Sequence, residues 1–174
     1  MYYVRKIGKK SSISKIQVSE IEDVEADVLK DEFRTTFNTL SFWKCSDIND
    51  HKNTLLAIIL SSSKIVNMDF IFVEDNIIQK YDIKTDDKKP GKTGYKGFEN
   101  NHIDFCELNY KKIADMIALY KEIILKNGYI ISVKKEEIKK MILEANDNGQ
   151  IDYTQLTNDM KEDIEELLSK QVTA

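Results

Sequence analysis

The chain has 174 residues, of which 41% are hydrophobic and 32% are charged, a composition typical of a soluble globular protein with one well-buried core. Its formal net charge is -4. The longest purely apolar run covers residues 55–60, far short of the roughly 20 residues that cross a bilayer. These values exclude a disordered chain, a membrane-spanning helix within this sequence and a broad basic surface for duplex DNA.

The small number of cysteines and the sequence of residues 1–10 predict the cellular compartment of the protein. Only two cysteines occur, and residues 1–10 lack the continuous apolar stretch of a secretory signal. We therefore expect a cytoplasmic protein with free thiols and no contact with a membrane. The abundance of Lys, Ile and Asn resembles that of proteins from AT-rich bacterial genomes, so we expect a bacterial origin.

Apolar spacing predicts both strands and helices along the chain. Between Asn109, a suitable N-cap, and Gly128, a suitable C-terminal glycine, apolar residues recur at spacings of three and four. Residues 65–73 are apolar on both faces, which is typical of a strand in the middle of a sheet. Further strands are predicted at 2–7, 35–44, 77–83 and 102–108. Further helices are predicted at 19–29, 46–59, 133–145 and 156–168. The remaining segments are predicted to be a loop at 9–14, a break at 86–101 and an extended connector at 129–132.

The order of these elements favours a mixed α/β (α+β) fold. Some predicted strands are adjacent and others are separated by helices, so we expect one sheet of about five strands packed with helices, followed by a C-terminal helical pair. Two units are predicted: a mixed α/β domain at 1–131 and a helix–loop–helix extension at 132–174 that packs on it. Residues 133–174 hold six Lys and ten Asp or Glu, so the extension is acidic.

The predicted strand 35–44 begins beside an arginine and two threonines. Arg34 is suited to bind a phosphate or carboxylate through two parallel N–H groups, and Thr35 and Thr36 add hydroxyls. The structural alternative is a partly exposed edge strand, where Thr is common. Asp69 lies in the most apolar strand, and Arg34 or a lysine is its expected partner.

The segment 84–96, KTDDKKPGKTGYK, is a candidate binding loop. Its GKT triplet is not a phosphate-binding P-loop, because Asp86 occupies the position where that motif requires a glycine. Lys88, Lys89 and Lys92, with aromatic residues nearby, are suited to hold a nucleotide or a single strand by charge and stacking. The acidic residues in the same loop reduce its net charge and favour a solvated connection instead.

The two cysteines and two histidines fall into two short windows, Cys45 with His51 and His102 with Cys106. They include the ligand types of a zinc site, but neither window has Cys-x-x-Cys spacing. On a straight strand His102 and Cys106 would also lie about 13 Å apart. A thiol nucleophile with a histidine base is the other chemistry these residue types permit. We expect buried cysteines and surface histidines, with no metal and no cofactor.

Residues 144–155, EANDNGQIDYTQ, form a segment that resembles a calcium-binding EF-hand loop. Gly149 stands at the turn position and Ile151 at the apolar position, and a helix is predicted on each side. The resemblance implies a helix–loop–helix shape. Glu144 and Gln155 replace the Asp and the bidentate Glu of that family, so tight calcium binding is not expected.

The last predicted helix is acidic on its outer side. Leu156, Met160, Ile164 and Leu167 are the expected anchors of a docking surface, and Glu162 belongs to the charged side. A partner protein that carries basic residues would fit such a surface, although a solvated face is the ordinary interpretation of an acidic run.

These patterns favour a small macromolecule-binding protein that acts through protein–protein contacts, such as an accessory subunit, an immunity protein or an antitoxin-like partner. The chain has no nucleotide motif, no recognisable metal set and few histidines for acid–base chemistry, so an enzyme is less favoured. The alternative is an enzyme, or a domain that handles nucleotides or nucleic acids, using Arg34 and the loop 84–96. Nucleic acid is thus an open but less favoured partner.

Overall fold

Six strands form one antiparallel sheet in the computed structural model, which describes residues 1–126 and 128–172. They are β1 (Tyr2–Lys6), β2 (Leu40–Cys45), β3 (Met68–Glu74), β4 (Lys84–Asp86), β5 (His102–Cys106) and β6 (Ile130–Val133). The order across the sheet is β4-β5-β2-β1-β3-β6, and every neighbouring pair runs antiparallel.

Helices cover both faces of this sheet. In the described residues they are α1 (Lys10–Val18), α2 (Ala26–Glu32), α3 (Lys52–Leu60), α4 (Asp75–Lys80), α5 (Tyr110–Ile124), α6 (Lys135–Asp147) and α7 (Asn158–Val172). Helices α3, α6 and α7 pack with one face, in a core that contains Val4, Trp43 and Phe72. Helices α1, α2, α4 and α5 pack with the other, around Tyr3 and Phe42. None of the described helices is long and apolar enough to cross a membrane.

Strand β3 explains why both faces need cover. Phe70 and Phe72 point to one core and Ile71 and Val73 to the other, and all four are 0% exposed. Side chains alternate between the two faces of a strand, so a run of four consecutive apolar residues such as 70–73 needs a packed layer on each side. Helices on both faces supply these two layers.

The predicted fold class is confirmed: one sheet with helices, ending in the helical pair α6 and α7. The sheet has six strands where about five were expected. The central helix is also confirmed. The Asn109 side chain accepts a hydrogen bond from the Lys112 backbone N–H at 3.0 Å, as predicted. The helix ends earlier than predicted, at Ile124 with Leu125 as its C-cap, so Gly128, with φ +88°, lies beyond its end and does not cap it.

Five local predictions are wrong. The predicted helix 19–29 is instead a short 3₁₀ helix at Ile21–Asp23 followed by α2 from Ala26. The first residues of the predicted strand 35–44 form a turn, and β2 begins at Leu40. Residues 77–83 do not form a strand, because consecutive Ile77 and Ile78 both face the same core from helix α4. The predicted loop 9–14 instead opens α1, whose Ile13 and Ile16 are buried. The predicted connector 129–132 provides most of β6. In each case tertiary packing outweighs local composition, which is a weak guide for short segments.

The predicted domain division at 131/132 falls inside β6, which pairs with β3. Met160 and Ile164 of α7 are 0% exposed and belong to the same core as Phe70 and Phe72. The final two residues of the predicted extension lie outside the described residues. Strand pairing also settles the partner of Asp69: the Ser132 hydroxyl donates a hydrogen bond to its carboxylate.

A buried carboxylate joins the first strand to the first two helices. Glu32, at the end of α2, is 1% exposed and accepts hydrogen bonds from the backbone N–H groups of Gly8 at 3.0 Å and Lys9 at 2.7 Å. Burial raises its pKa, although these two N–H groups and the positive charge of Arg5 favour the ionised form. Glu32 therefore satisfies backbone donors at the entry to α1 that the fold would otherwise leave unpaired.

We expect Glu32→Ala to lower the free energy of unfolding by about 1–3 kcal/mol, because the Gly8 and Lys9 N–H groups lose their acceptor. Urea denaturation at neutral pH measures this change. Glu25→Ala is the matched control, since Glu25 is exposed and forms only a surface ion pair with Lys15. Equal stability of the two variants would contradict the role given to Glu32.

Candidate functional site

A two-residue turn precedes β2 and carries an exposed aromatic residue. Thr36 and Thr39 exchange backbone hydrogen bonds, with N–O distances of 3.3 and 3.1 Å, and thereby close the turn. Phe37 and Asn38 lie between them with φ 54° and 58°. Two successive positive φ angles are the signature of a type I′ turn, where Asn, Asp and Gly are the preferred residues. Phe37 is therefore held in a conformation that its side chain disfavours.

A second strained loop supports this turn. Glu107, between β5 and α5, adopts φ 56°, and the next residue, Leu108, donates its backbone N–H to the Asn38 carbonyl at 3.0 Å. Asn109 then caps α5, so that Tyr110 is the first residue of the helix. The hydrogen bond between Leu108 and Asn38 fixes the two loops against each other at one end of the sheet.

Both loops present an aromatic side chain to solvent. Phe37 is 97% exposed and Tyr110 is 91% exposed. Arg34 and Lys111, which are also exposed, add positive charge in the same two segments, and neither forms a hydrogen bond or ion pair with any described residue. We call these four residues, Arg34, Phe37, Tyr110 and Lys111, the aromatic tip.

Sequence reasoning located part of the aromatic tip. Arg34, Thr35 and Thr36 were predicted as ligand-binding residues, and they lie just before Phe37, with the backbone of Thr36 closing the turn. Phe37 itself was predicted inside a strand. Two Thr residues that flank a Phe-Asn pair are a weak turn signal, because the usual Asn-Gly or Asp-Gly is absent.

The loop that contains the predicted lysines is a packed strap across the sheet. We use this name for residues 87–98. Thr93 is 0% exposed and donates its hydroxyl to the Ala57 carbonyl of α3 at 2.7 Å. The Gly94 carbonyl accepts from the Asp152 N–H at 2.8 Å, and Lys96 N–H donates to the Gln150 carbonyl at 3.0 Å. The strap thus joins α3 to the α6–α7 loop.

Gly91 fits where a side chain could not. A Cβ atom at this position would lie 2.6 Å from both the Trp43 ring and the His102 Cβ. The GKT triplet therefore reflects close packing of the backbone on β2 and β5.

The lysines of the strap do not converge with the aromatic tip. Lys88, Lys89 and Lys92 are exposed on its outer side. The strap packs at the His102 end of β5, whereas Leu108 follows the other end, beyond a strand about 16 Å long. Arg34 and the three lysines therefore do not form a common site.

The predicted anchors on the last helix are largely used inside the molecule. Leu156, Met160 and Ile164 are buried in the core, and Leu167 is half-buried. Glu162 is exposed. The side of α7 that faces solvent therefore offers acidic groups with few apolar contacts beside them.

Cys45 and both histidines bond to backbone carbonyls. The expected surface position is wrong for His102, which is buried, and Cys106 is only half-buried. The Cys45 thiol donates to the Asp47 carbonyl at 3.0 Å, and His102 Nδ1 lies 3.1 Å from the Lys89 carbonyl oxygen. No thiol–imidazole hydrogen bond joins described residues. Burial raises the pKa of both thiols, and the Glu107 and Asp86 carboxylates raise that of Cys106 further. A nucleophilic cysteine requires the opposite shift.

The segment 144–155 keeps the helix–loop–helix shape of the EF-hand that it resembles. Gly149 has φ +67° at the turn, but Glu144 forms an ion pair with Lys52 and the Asn146 side-chain oxygen accepts from Tyr153. Ile151 forms a β-bridge with Tyr95 of the strap. Within the described residues, no group of three or more His, Cys, Asp or Glu is placed to hold a metal ion.

Comparison with known proteins gives no match to a family model, to a curated sequence or to a solved structure.

We expect Gly91→Ala to lower the free energy of unfolding by about 1–3 kcal/mol, because the added methyl group overlaps the Trp43 ring and the His102 side chain. Thermal and urea denaturation measure the change. Lys92→Ala, one residue away and exposed, is the control that should leave stability unaltered. An unaffected Gly91→Ala variant would show that the strap is loosely held.

We expect the Cys106 thiol to react slowly with iodoacetamide at neutral pH, because its pKa lies above the ordinary 9.0 and little thiolate is present. The rate should rise as the pH passes beyond that value. Glu107→Gln removes a neighbouring negative charge and should speed the reaction at mildly alkaline pH. Mass spectrometry of the alkylated peptide follows the reaction, and fast labelling at neutral pH would contradict the expected shift.

Proposed function

We propose that this chain acts by binding another protein, and that Phe37 and Tyr110 form the centre of the contact. The observation that carries the proposal is Phe37: a large aromatic side chain, 97% exposed, at a backbone position where it is strained. Strained residues persist where the surrounding structure holds them, and they cluster at binding and catalytic sites.

Aromatic side chains and arginine supply much of the energy at protein interfaces. Phe37 and Tyr110 contribute little to the fold, because both are almost completely exposed. Arg34 and Lys111 add positive charge beside them. A surface with an apolar pocket bordered by acidic side chains would complement this arrangement, both in shape and in charge.

The acidic face of α7 has a lesser part in this proposal. Its apolar residues are mostly buried in the core, so the face supplies mainly charge. Charges at the rim of an interface affect the association rate more than the affinity. A basic patch on the partner would still gain from Glu162 and its neighbours during approach.

The alternative function is binding of single-stranded nucleic acid, since aromatic rings with nearby cations also stack on bases. Two features make it weaker. Arg34 and the lysines of the strap lie toward opposite ends of β5, and the chain as a whole has net charge -4. Fluorescence anisotropy with labelled single-stranded oligonucleotides distinguishes the two functions.

We expect Phe37→Asn to raise the free energy of unfolding by about 1 kcal/mol, because Asn tolerates positive φ and the Phe side chain makes few contacts to lose. Urea denaturation measures the gain. Val18→Asn is the matched control, because Val18 is also exposed, at 81%, but ends a regular helix. Loss of stability in Phe37→Asn would show that the ring supports the fold.

The binding experiment immobilises the wild-type chain and four variants, namely Phe37→Asn, Tyr110→Ala, Val18→Asn and Glu162→Gln, and exposes each to a lysate of the source organism. We expect one protein to be captured by wild type, Val18→Asn and Glu162→Gln, and lost from Phe37→Asn and Tyr110→Ala. The captured protein is then purified and its affinity measured directly for each variant. Equal affinity across all five chains would overturn the proposal, as would oligonucleotide binding that depends on Phe37.

A further inference from the structure

Strand β6 is an edge of the sheet with open backbone groups. Its partner strand β3 pairs Phe70 with Ile131 and Ile71 with Ile130, and the Phe72 N–H donates to the Tyr129 carbonyl at 2.9 Å. In an antiparallel pair, residues whose backbone N–H and C=O groups bond to the partner strand alternate with residues whose N–H and C=O groups point to the opposite side. The N–H and C=O groups of Ile130 and Ser132 therefore point away from β3, and no described residue bonds to them.

The two edges of the sheet differ in protection. Proteins block pairing at sheet edges with short strands, charged residues, proline or a covering segment. The opposite edge, β4, has three residues and includes Lys84 and Asp86. Strand β6 reads Ile-Ile-Ser-Val and has neither charge nor proline. Its edge is open to another strand.

The sequence of β6 complements itself. If two copies pair antiparallel about a twofold axis at Ile131, Ile130 of each copy lies opposite Ser132 of the other. The outward groups then form four hydrogen bonds. On the face of the sheet that packs with α3, Ile131 lies opposite Ile131 of the second copy, and Tyr129 lies opposite Val133. No two like charges face each other along this register.

A groove beside the strand has room for the side chain that this pairing brings. It is lined by Ile48, Asn49, His51, Gly128, Tyr129 and Ile131 and has a volume of about 400 Å³. Leu125, just beyond the end of α5, is 75% exposed on the segment that leads to β6. Ile48, Tyr129 and Ile131 pack against the core on one side and remain partly exposed on the side that faces the groove.

We propose that the β6 edge joins two copies of this chain in an antiparallel pair, which extends the sheet from six strands to twelve. The interface is separate from the aromatic tip and does not depend on the function proposed for it. The register above places Ile131 on the twofold axis, with its side chain against the groove of the second copy.

Sedimentation equilibrium of the purified wild-type chain tests the pairing, and a dimer is expected. Ser132→Pro removes the outward N–H, which edge positions tolerate, together with the hydroxyl that bonds Asp69, and should weaken association about tenfold or more. Ser132→Ala keeps that N–H and should remain a dimer. Ile131→Lys, which sets like charges on the axis, should be a folded monomer by circular dichroism. A wild-type chain that stays monomeric at high concentration overturns the proposal.

Cross-linking tests the register. In a Cys106→Ser background, Ile131→Cys should form a disulfide-linked dimer when oxidised glutathione accepts the two electrons, since position 131 faces itself. Ser132→Cys should not, because position 132 faces Ile130 of the second copy. Non-reducing electrophoresis gives the readout. Equal yields from the two variants, or none from Ile131→Cys, would overturn the register.

Discussion

The central strand β3 must be buried on both faces, and the rest of the fold depends on that constraint. Phe70 and Phe72 need one apolar layer and Ile71 and Val73 need another. A single helical layer would leave half of these side chains in water, and exposing apolar surface to water costs a free energy of about 25 cal/mol per Å². Helix α3 with the pair α6 and α7 supplies one layer, and α1, α2, α4 and α5 supply the other. The C-terminal pair is therefore part of the core.

Two loops at opposite ends of β5 show how differently a connection can be used. The strap packs its inner side on β2 and β5, with Gly91 in contact with Trp43, and so joins α3 to the α6–α7 loop. The turn at Phe37 does the reverse, because it holds an apolar ring away from every core at a cost in backbone strain. A feature that opposes local preference without stabilising the fold is a mark of function.

Several parts of the candidate surfaces were within reach of sequence reasoning. Arg34 and Thr36 were identified because their residue types suit polar recognition, and they do lie at the base of the turn. Phe37 and Tyr110 were missed, since an aromatic residue in an apolar segment is usually buried. Phe37 is exposed because it lies in a turn whose two positive φ angles have no clear sequence signal, and Tyr110 is exposed at the first position of α5. The apolar residues of α7 were correctly read as one helical face, but periodicity does not tell whether such a face meets the core or a partner.

By itself the sequence determined the mixed class of the fold, the buried strand at the centre, the capped helix α5 and the final helical pair. Each of these depends on local spacing or on a cap such as Asn109, which neighbouring residues along the chain encode. Only the tertiary structure decided that residues 77–80 are helical, that residues 130–133 complete the sheet, and that the lysines of the strap lie apart from Arg34. These outcomes depend on contacts between distant segments, and such contacts outweigh local preferences that differ by about 1 kcal/mol or less per residue.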